Sequence, residues 1–235
     1  MTCKPRTLPE LRDGFESDHL SGIWTDDKFI PGALSFMTGN ARTGNQAARI
    51  ILKPGDQIEK EKGTELERAE LKEARRFYSI ENSNYYYSFS LFLPPDFPIV
   101  PTRLVIAQWK QDCRLGNCDP GNPVIALRFV SGILYVTLQT GREQIILYHR
   151  EDSVLNRWLD FKFLIRFSRN ENGRIMAWLC GTPIVDYTGA TAYSGAFGNP
   201  DKGKFYFKTG LYRDRMDRMM TIFIDGYLKR QVDEL

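Results

Sequence analysis

An all-β fold, two antiparallel sheets packed as a sandwich of the jelly-roll type, is what three features of the sequence predict. First, about a dozen short segments alternate apolar and polar residues and are separated by turn residues every ~8 to 12 positions. Second, aromatic residues make up 13% of the chain, with 15 Phe and 11 Tyr, a composition that favours strands. Third, no strand–helix–strand rhythm, internal repeat or linker interrupts the pattern, so residues 1–235 read as one domain with a concave polar groove.

The chain supports this segment by segment. Residues 13–24 read as a turn entering a first strand. Ala47 to Lys53 is a strand stopped by Pro54-Gly55-Asp56, and the charged residues 56–63 read as a loop or short helical turn. Glu65 to Lys72 alternates. Tyr85 to Leu93 is an aromatic strand stopped by Pro94-Pro95, and Leu104 to Lys110 is another strand. Residues 111–123 are a loop by their Gly, Asn, Asp and Pro content. Val124 to Val130 and Ile133 to Gln139 join at Ser131-Gly132, and Gln144 to His149 follows. Asp160 to Ser168 and Arg174 to Cys180 flank a second hairpin with Asn172-Gly173 at its turn. Residues 187–203 read as a long loop. Lys204 to Arg213 and Thr221 to Leu228 are the last strands, with a charged excursion between them.

Composition narrows the partners. A net charge of +3, from 32 Lys and Arg against 29 acids, is too mild for a general nucleic-acid binder but permits a local basic groove. No apolar run of ~18 residues predicts a transmembrane helix. Met1 to Arg12 lacks the apolar stretch of a signal peptide, leaving an intracellular chain or a mature segment whose leader has been removed. Cys113 and Cys118 flank a tight loop and would form a small disulfide in a secreted protein. Zinc is disfavoured, because no second Cys pair exists and His19 and His149 are the only imidazoles. Cys180 reads as a buried strand thiol, and Cys3 as its partner or free.

Period-two reading gives the strands two faces. Arg68 and Glu70 share one face. Gln108 and Lys110 lie opposite Val105, Ala107 and Trp109. Arg128 lies opposite Leu127 and Phe129. Tyr135, Thr137 and Gln139 lie opposite Leu134, Val136 and Leu138. Lys162 and Arg166 lie opposite a row of Phe. Tyr206, Lys208 and Tyr212 lie opposite Phe205 and Phe207, with Gly210 leaving a gap. Six strands thus carry an outer face of Arg, Lys, Gln and Tyr with few acids. Such a face recognises carboxylates and stacks on sugar rings, so the expected ligand is an acidic polysaccharide. His149, with Ile145 and Leu147 on its own strand's odd face, reads as structural or as rim.

Three motifs resemble a known group. Arg68-Ala69-Glu70-Leu71 is similar to an R-x-E-L strand, Gln108-Trp109-Lys110 to a Q-[IW]-H strand, and Tyr206-Phe207-Lys208-Thr209-Gly210-Leu211-Tyr212 to a Y-F-K-x-G-x-Y strand. In this order they resemble the jelly-roll polysaccharide lyases: the glucuronan lyases, the heparin lyase I type and, more distantly, the family 7 alginate lyases. The length suits the compact glucuronan lyases. One departure stands out: Lys110 occupies the place of the usual His. A lysine there is similar to another jelly-roll group, the glucuronate and alginate lyases of chlorella viruses and molluscs, in which Arg128 and Tyr135 would have loose counterparts.

The resemblance implies β-elimination at a 4-linked polyuronate, glucuronan first. Tyr212, Lys110, Gln108 and Arg128 would be catalytic. Arg68, Glu70, Tyr135, Lys208 and Tyr206 would bind substrate. Tyr212 would be the acid, with the base left between Tyr212 and Lys110. No cofactor is needed for this chemistry. A structural calcium joining the first and last strands would use Glu16 and Asp225, which equally read as two solvated turn acids. The implied protein is a secreted monomer, its partner an acidic polysaccharide and neither nucleic acid nor membrane. Lys110 in place of His also fits a non-catalytic carbohydrate-binding module. A retaining glycosidase would want an E-x-D-x-x-E strand, which is absent.

Overall fold

The structure, a computed structural model, describes residues 8–25, 29–56, 59–61, 63–112, 122–194 and 203–234. The predicted loop disulfide, Cys113 with Cys118, and Cys3 lie outside the described residues. In chain order the strands begin with β1 Leu11–Asp13, β2 Trp24–Thr25, β3 Leu34–Thr38, β4 Gln46–Leu52, β5 Glu59–Glu61 and β6 Thr64–Glu73. They continue with β7 Ser79–Ile80, β8 Asn84–Phe92, β9 Leu104–Gln111, β10 Ile125–Val130, β11 Ile133–Gln139 and β12 Gln144–Arg150. The last are β13 Trp158–Arg166, β14 Arg174–Leu179, β15 Thr182–Thr188, β16 Lys204–Asp214 and β17 Met220–Val232. Among the described residues the only helical element is a 3-10 turn, Arg75–Phe77.

All strand pairs are antiparallel and fall into two sheets. The front sheet runs β12-β11-β10-β9-β16-β6-β2, with β5 on β6 and β7 on β16. The back sheet runs β15-β14-β13-β8-β17-β4-β3, with β1 on β17. This is the expected all-β sandwich. The sequence missed the strands β1, β3, β5, β7 and β15, because their length or charge hides the alternation. Residues 59–61 are a strand and not the expected loop or helical turn, since β6 supplies an edge for them to pair with.

The inner faces interlock through aromatic rings. Trp109 lies 4.6 Å from Phe163 and 5.0 Å from Phe207, and Phe207 lies 4.9 Å from Phe89, centroid to centroid. Such offset contacts add to the burial energy of each ring. Within this apolar layer sits a buried ionic cluster. The Glu73 carboxylate accepts from Lys229 Nζ at 3.1 Å, from the Tyr227 hydroxyl, and from the Phe207 backbone N–H at 3.0 Å. The last bond has a structural reason. β6 pairs with β16 up to Lys208, β7 pairs only at Phe205 and Lys204, and Glu73 satisfies the backbone donor left in the gap. A second buried pair, Arg213 on Glu67 at 2.7 Å, pins the other end of β16 to β6.

Two side-chain expectations are corrected. Cys180 is exposed, not buried: it sits just beyond β14 with φ of 49° in the tight turn to β15. Lys162 and Arg166 belong to β13 on the back sheet, so their outer face is on the far side of the molecule from the other five strands. Period two assigns a residue to a face of its strand but says nothing about which sheet the strand joins.

Candidate active site

The outer face of the front sheet is built in cross-strand rows, because directly paired residues of antiparallel strands project on the same side. One row reads Arg68, Tyr212, Val105, Arg128, Tyr135, His149 across β6, β16, β9, β10, β11 and β12. The next reads Lys72, Lys208, Gln108, Ala126, Thr137, Ile146. Beyond it Tyr206 pairs with Lys110, and Gln139 with Gln144. The structure therefore gathers Arg68, Glu70, Gln108, Lys110, Arg128, Tyr135, Tyr206, Lys208 and Tyr212 on one face.

A β-bulge makes the rows coincide. Between Lys208 and Tyr212 strand β16 has one more residue than β9, and the β9–β10 register shifts at the same level. A bulge re-aims side chains. It turns Val105 outward, contrary to the period-two expectation, and Val105 forms a small apolar patch with Leu66, Ala126 and Tyr212. Gly210 lies at this level with φ of 140°. A Cβ there would lie 2.3 Å from the Ala69 carbonyl oxygen. The gap expected at Gly210 is thus closed from the side by β6.

Between the two rows sits Glu70, 1% exposed, whose strand partner is Gly210. Gln108 Nε2 donates to Glu70 Oε1 at 2.5 Å, Lys208 Nζ pairs with Oε2, and Arg68 Nε lies 3.1 Å from Oε2. The one acid in the centre of the face is thus the counter-ion of its cations. Gln108 and Lys208 are themselves only 2% and 4% exposed, so this cluster is the floor of the face. Burial is the main force on the Lys208 ammonium and lowers it to about 8; Glu70 opposes this, while Arg68 and Lys110 add to it.

Tyr212 stands over this floor, 9% exposed. The Arg68 guanidinium lies over its ring at 4.4 Å and that of Arg103 at 5.9 Å, both within cation–π range. Arg128, half-buried, donates from Nε to Thr137 Oγ1 at 3.2 Å. Its guanidinium is pulled below its ordinary value first by burial and then by the charge of Arg103, with Tyr212 and Tyr193 acting the other way. Tyr206 stacks on Tyr78 at 4.8 Å with Lys72 Nζ 5.5 Å from its ring, and burial pushes its phenol well up, so it stays protonated. Lys110 is half-buried opposite Tyr206.

Some residues of this face escaped sequence reading or were assigned to the other side of their strand. Arg103 and Tyr78 flank strands and have no alternation to place them. His149 was assigned to the wrong company: β12 carries a bulge at Leu147, so His149 pairs with Tyr135 on the groove face while Ile145 and Leu147 do not. The rim alternative is the one the structure shows.

Glu16 and Asp225 converge on one loop, as expected from their places near the two ends. Asp225 Oδ2 accepts from the backbone N–H of Arg42 at 2.7 Å and Thr43 at 2.8 Å. Glu16 accepts from Asn45 at 3.0 Å and Gln46 at 3.3 Å. Asp225 is fully buried, which the solvated-turn alternative does not fit, whereas Glu16 is exposed as that alternative expects. Burial raises the Asp225 carboxyl, and the charge of Glu16 raises it further. Among the described residues no group of three or more His, Cys, Asp or Glu side chains converges as a metal site.

Comparison with known proteins agrees with this architecture. The endo-β-1,4-glucuronan lyase of the fungus Trichoderma reesei superposes with a TM-score of 0.70 at 16% identity, over 97% of this chain and 96% of that one. A family 7 alginate lyase gives 0.56 at 16% identity, over 84% and 82%. A cellulose-induced protein gives 0.60 at 12% identity, over 93% and 96%. No curated protein sequence matches. The family model of the polysaccharide lyases matches residues 13–227, nearly the whole of the sandwich and every residue of the face described above; the chain belongs to the polysaccharide lyase family.

Proposed function

We propose that this lyase cleaves a 4-linked polyuronate, glucuronan before alginate or a glycosaminoglycan, by β-elimination. The observation that carries the reading is the charge of the face. Arg68, Lys72, Lys110, Arg128 and Lys208 lie in adjacent rows around a single buried carboxylate, Glu70. A surface so biased favours a ligand with a carboxylate on every ring. The near-complete mutual coverage with a glucuronan lyase supports glucuronan as the first substrate to try.

In the reaction, the C5 proton of the uronate is a poor acid while its carboxylate is charged. Arg128 and Arg68, with Gln108, neutralise that carboxylate and so stabilise the developing enolate. A base removes the C5 proton and an acid protonates the departing O4, which leaves a double bond between C4 and C5. Tyr212 is the acid. The base is Tyr212 itself, ionised with the help of the overlying Arg68, or Lys110 beside Tyr206. Lys208 and Glu70 hold Gln108 and Arg68 in place from below. A polymer of this kind is met outside the cell, so secretion is part of the proposal.

A structural calcium is also part of it. Two carboxylates near one another, one of them raised by burial and by its neighbour, fit a divalent cation held by Glu16 and Asp225; its role would be to tie β17 to the 42–46 loop. Added calcium should raise the melting temperature of wild type, and not of Asp225→Asn.

The experiment for the main reading is a substrate screen. Glucuronan, alginate and a glycosaminoglycan are each incubated with the protein and with Tyr212→Phe. Ultraviolet absorbance from the unsaturated end, arising with wild type on glucuronan and nearly absent with the variant, is the expected result. Absorbance on alginate alone would replace glucuronan as the substrate.

A further inference from the structure

The row through Tyr212 continues well beyond the reacting centre. From β16 it crosses β9, β10 and β11 to the edge strand β12, a distance of about 19 Å at four strand spacings. It ends on His149, whose imidazole faces the Tyr135 ring across the strand pair with centroids 6.4 Å apart and planes 34° from each other. Neither ring has a role at a site centred on Tyr212, which lies too far away.

We infer that Tyr135, His149 and Ile146 form an outer subsite that holds a uronate ring several units away from the one that reacts. The inference rests on the polyuronate reading above. Its first support is the bulge at Leu147. Without it, His149 would point away from the groove; with it, His149 joins the row of Arg128 and Tyr135. Bulges that re-aim a side chain are features that sheets keep next to sites. The second support is Ile146, one row along on the same face and 58% exposed. It is among the most exposed large apolar side chains described. The C–H face of a pyranose offers the apolar partner it lacks.

The chemistry of the three side chains is complementary to a uronate unit. Tyr135, half-exposed, offers an aromatic face for the ring. The imidazole N–H of His149 donates to the carboxylate or a hydroxyl. Arg128, on β10 in the same row, marks the side of the reacting centre that faces this subsite. A chain anchored at both ends of the row is held in register over Tyr212, so binding at His149 is converted into correct placement of the scissile linkage.

The test is the dependence of kcat/KM on chain length. Oligouronates of graded length are offered to wild type, His149→Ala and Tyr135→Ala, with product formation followed in the ultraviolet and folding by thermal melts. Wild type should gain in kcat/KM as the oligomer becomes long enough to reach β12. In each variant the ratio of kcat/KM for long over short oligomers should fall about 3- to 10-fold, the worth of one aromatic or hydrogen-bonded contact. The same length dependence in the variants as in wild type overturns the subsite, as does an equal loss at every length. If wild type forms no unsaturated product from any polyuronate, it is the lyase reading that fails. Calorimetric binding of the long oligomer to wild type and His149→Ala then decides the subsite alone: equal affinities overturn it, and a 3- to 10-fold weaker variant supports it.

Discussion

Gln108 on β9 reaches Glu70 on β6 across the intervening strand β16, with a bond of 2.5 Å, and the residue of β16 paired with Glu70 is Gly210. One strand, β16, separates donor and acceptor. The glycine is required by its own backbone, with φ of 140° and the Ala69 carbonyl where a Cβ would be. One residue thereby sets the closeness of β6 to β16.

Gly210→Ala should therefore be costly in two ways. The backbone conformation alone costs a non-glycine residue ~1–3 kcal/mol, and the contact with Ala69 forces β6 outward. A melting temperature lower by several degrees, together with loss of turnover larger than the loss of folded protein explains, is the expected pair of results. A variant that melts like wild type would show that β6 and β16 do not need this approach.

Glu70→Gln removes the counter-ion from beneath Lys208 and Arg68. Breaking a buried ion pair on one side costs ~3–5 kcal/mol, measurable by denaturant unfolding. The double variant with Lys208→Met removes both charges and should recover much of that stability. It should not recover turnover, because Arg68 still lacks the carboxylate that holds it in place. Recovery of both would reduce Glu70 to a packing role.

The pH dependence follows from Lys208. Burial lowers its ammonium from 10.5 to about 8. With the folded value below the unfolded one, the unfolded chain binds more protons between pH 8 and 10.5. Stability from this group is thus present above 10.5 and is lost as pH falls toward 8, below which its contribution is flat. Activity runs the other way if a charged Lys208 is needed to hold Glu70: kcat/KM should fall as pH rises through about 8. Lys208→Arg, which stays charged, should extend the active range upward. An unchanged alkaline limb in that variant would assign the limb to another group.

Tyr212→Phe removes one oxygen from a ring that packs on Leu66, Val105 and Ala126 beneath Arg68. Packing and the cation–π contact survive. Loss of a general acid typically costs ~10²–10⁴ in rate, and kcat should fall by that order with polyuronate affinity retained. Near-wild-type turnover would move the acid to Lys110, on the adjacent strand β9. Lost affinity with kcat kept would make Tyr212 a stacking residue.

The sequence by itself determined the fold class and nearly all the membership of the face. Alternation over Glu65 to Lys72, Ile133 to Gln139 and Lys204 to Arg213 reflects a local rule, that neighbouring side chains of a strand point opposite ways. A local rule can be read locally. The same rule could not say which sheet a strand joins, so it placed Lys162 and Arg166 with the groove when β13 lies behind it. Nor could it see the two bulges, because an extra residue is defined only against a partner strand. Val105 and His149 turned to the groove for that reason. The pairing of Glu70 with Gln108, Lys208 and Arg68, and the burial that lowers Lys208, needed three strands side by side. Residue types are written along the chain, but register and burial exist only between strands, and those decided which polar groups meet.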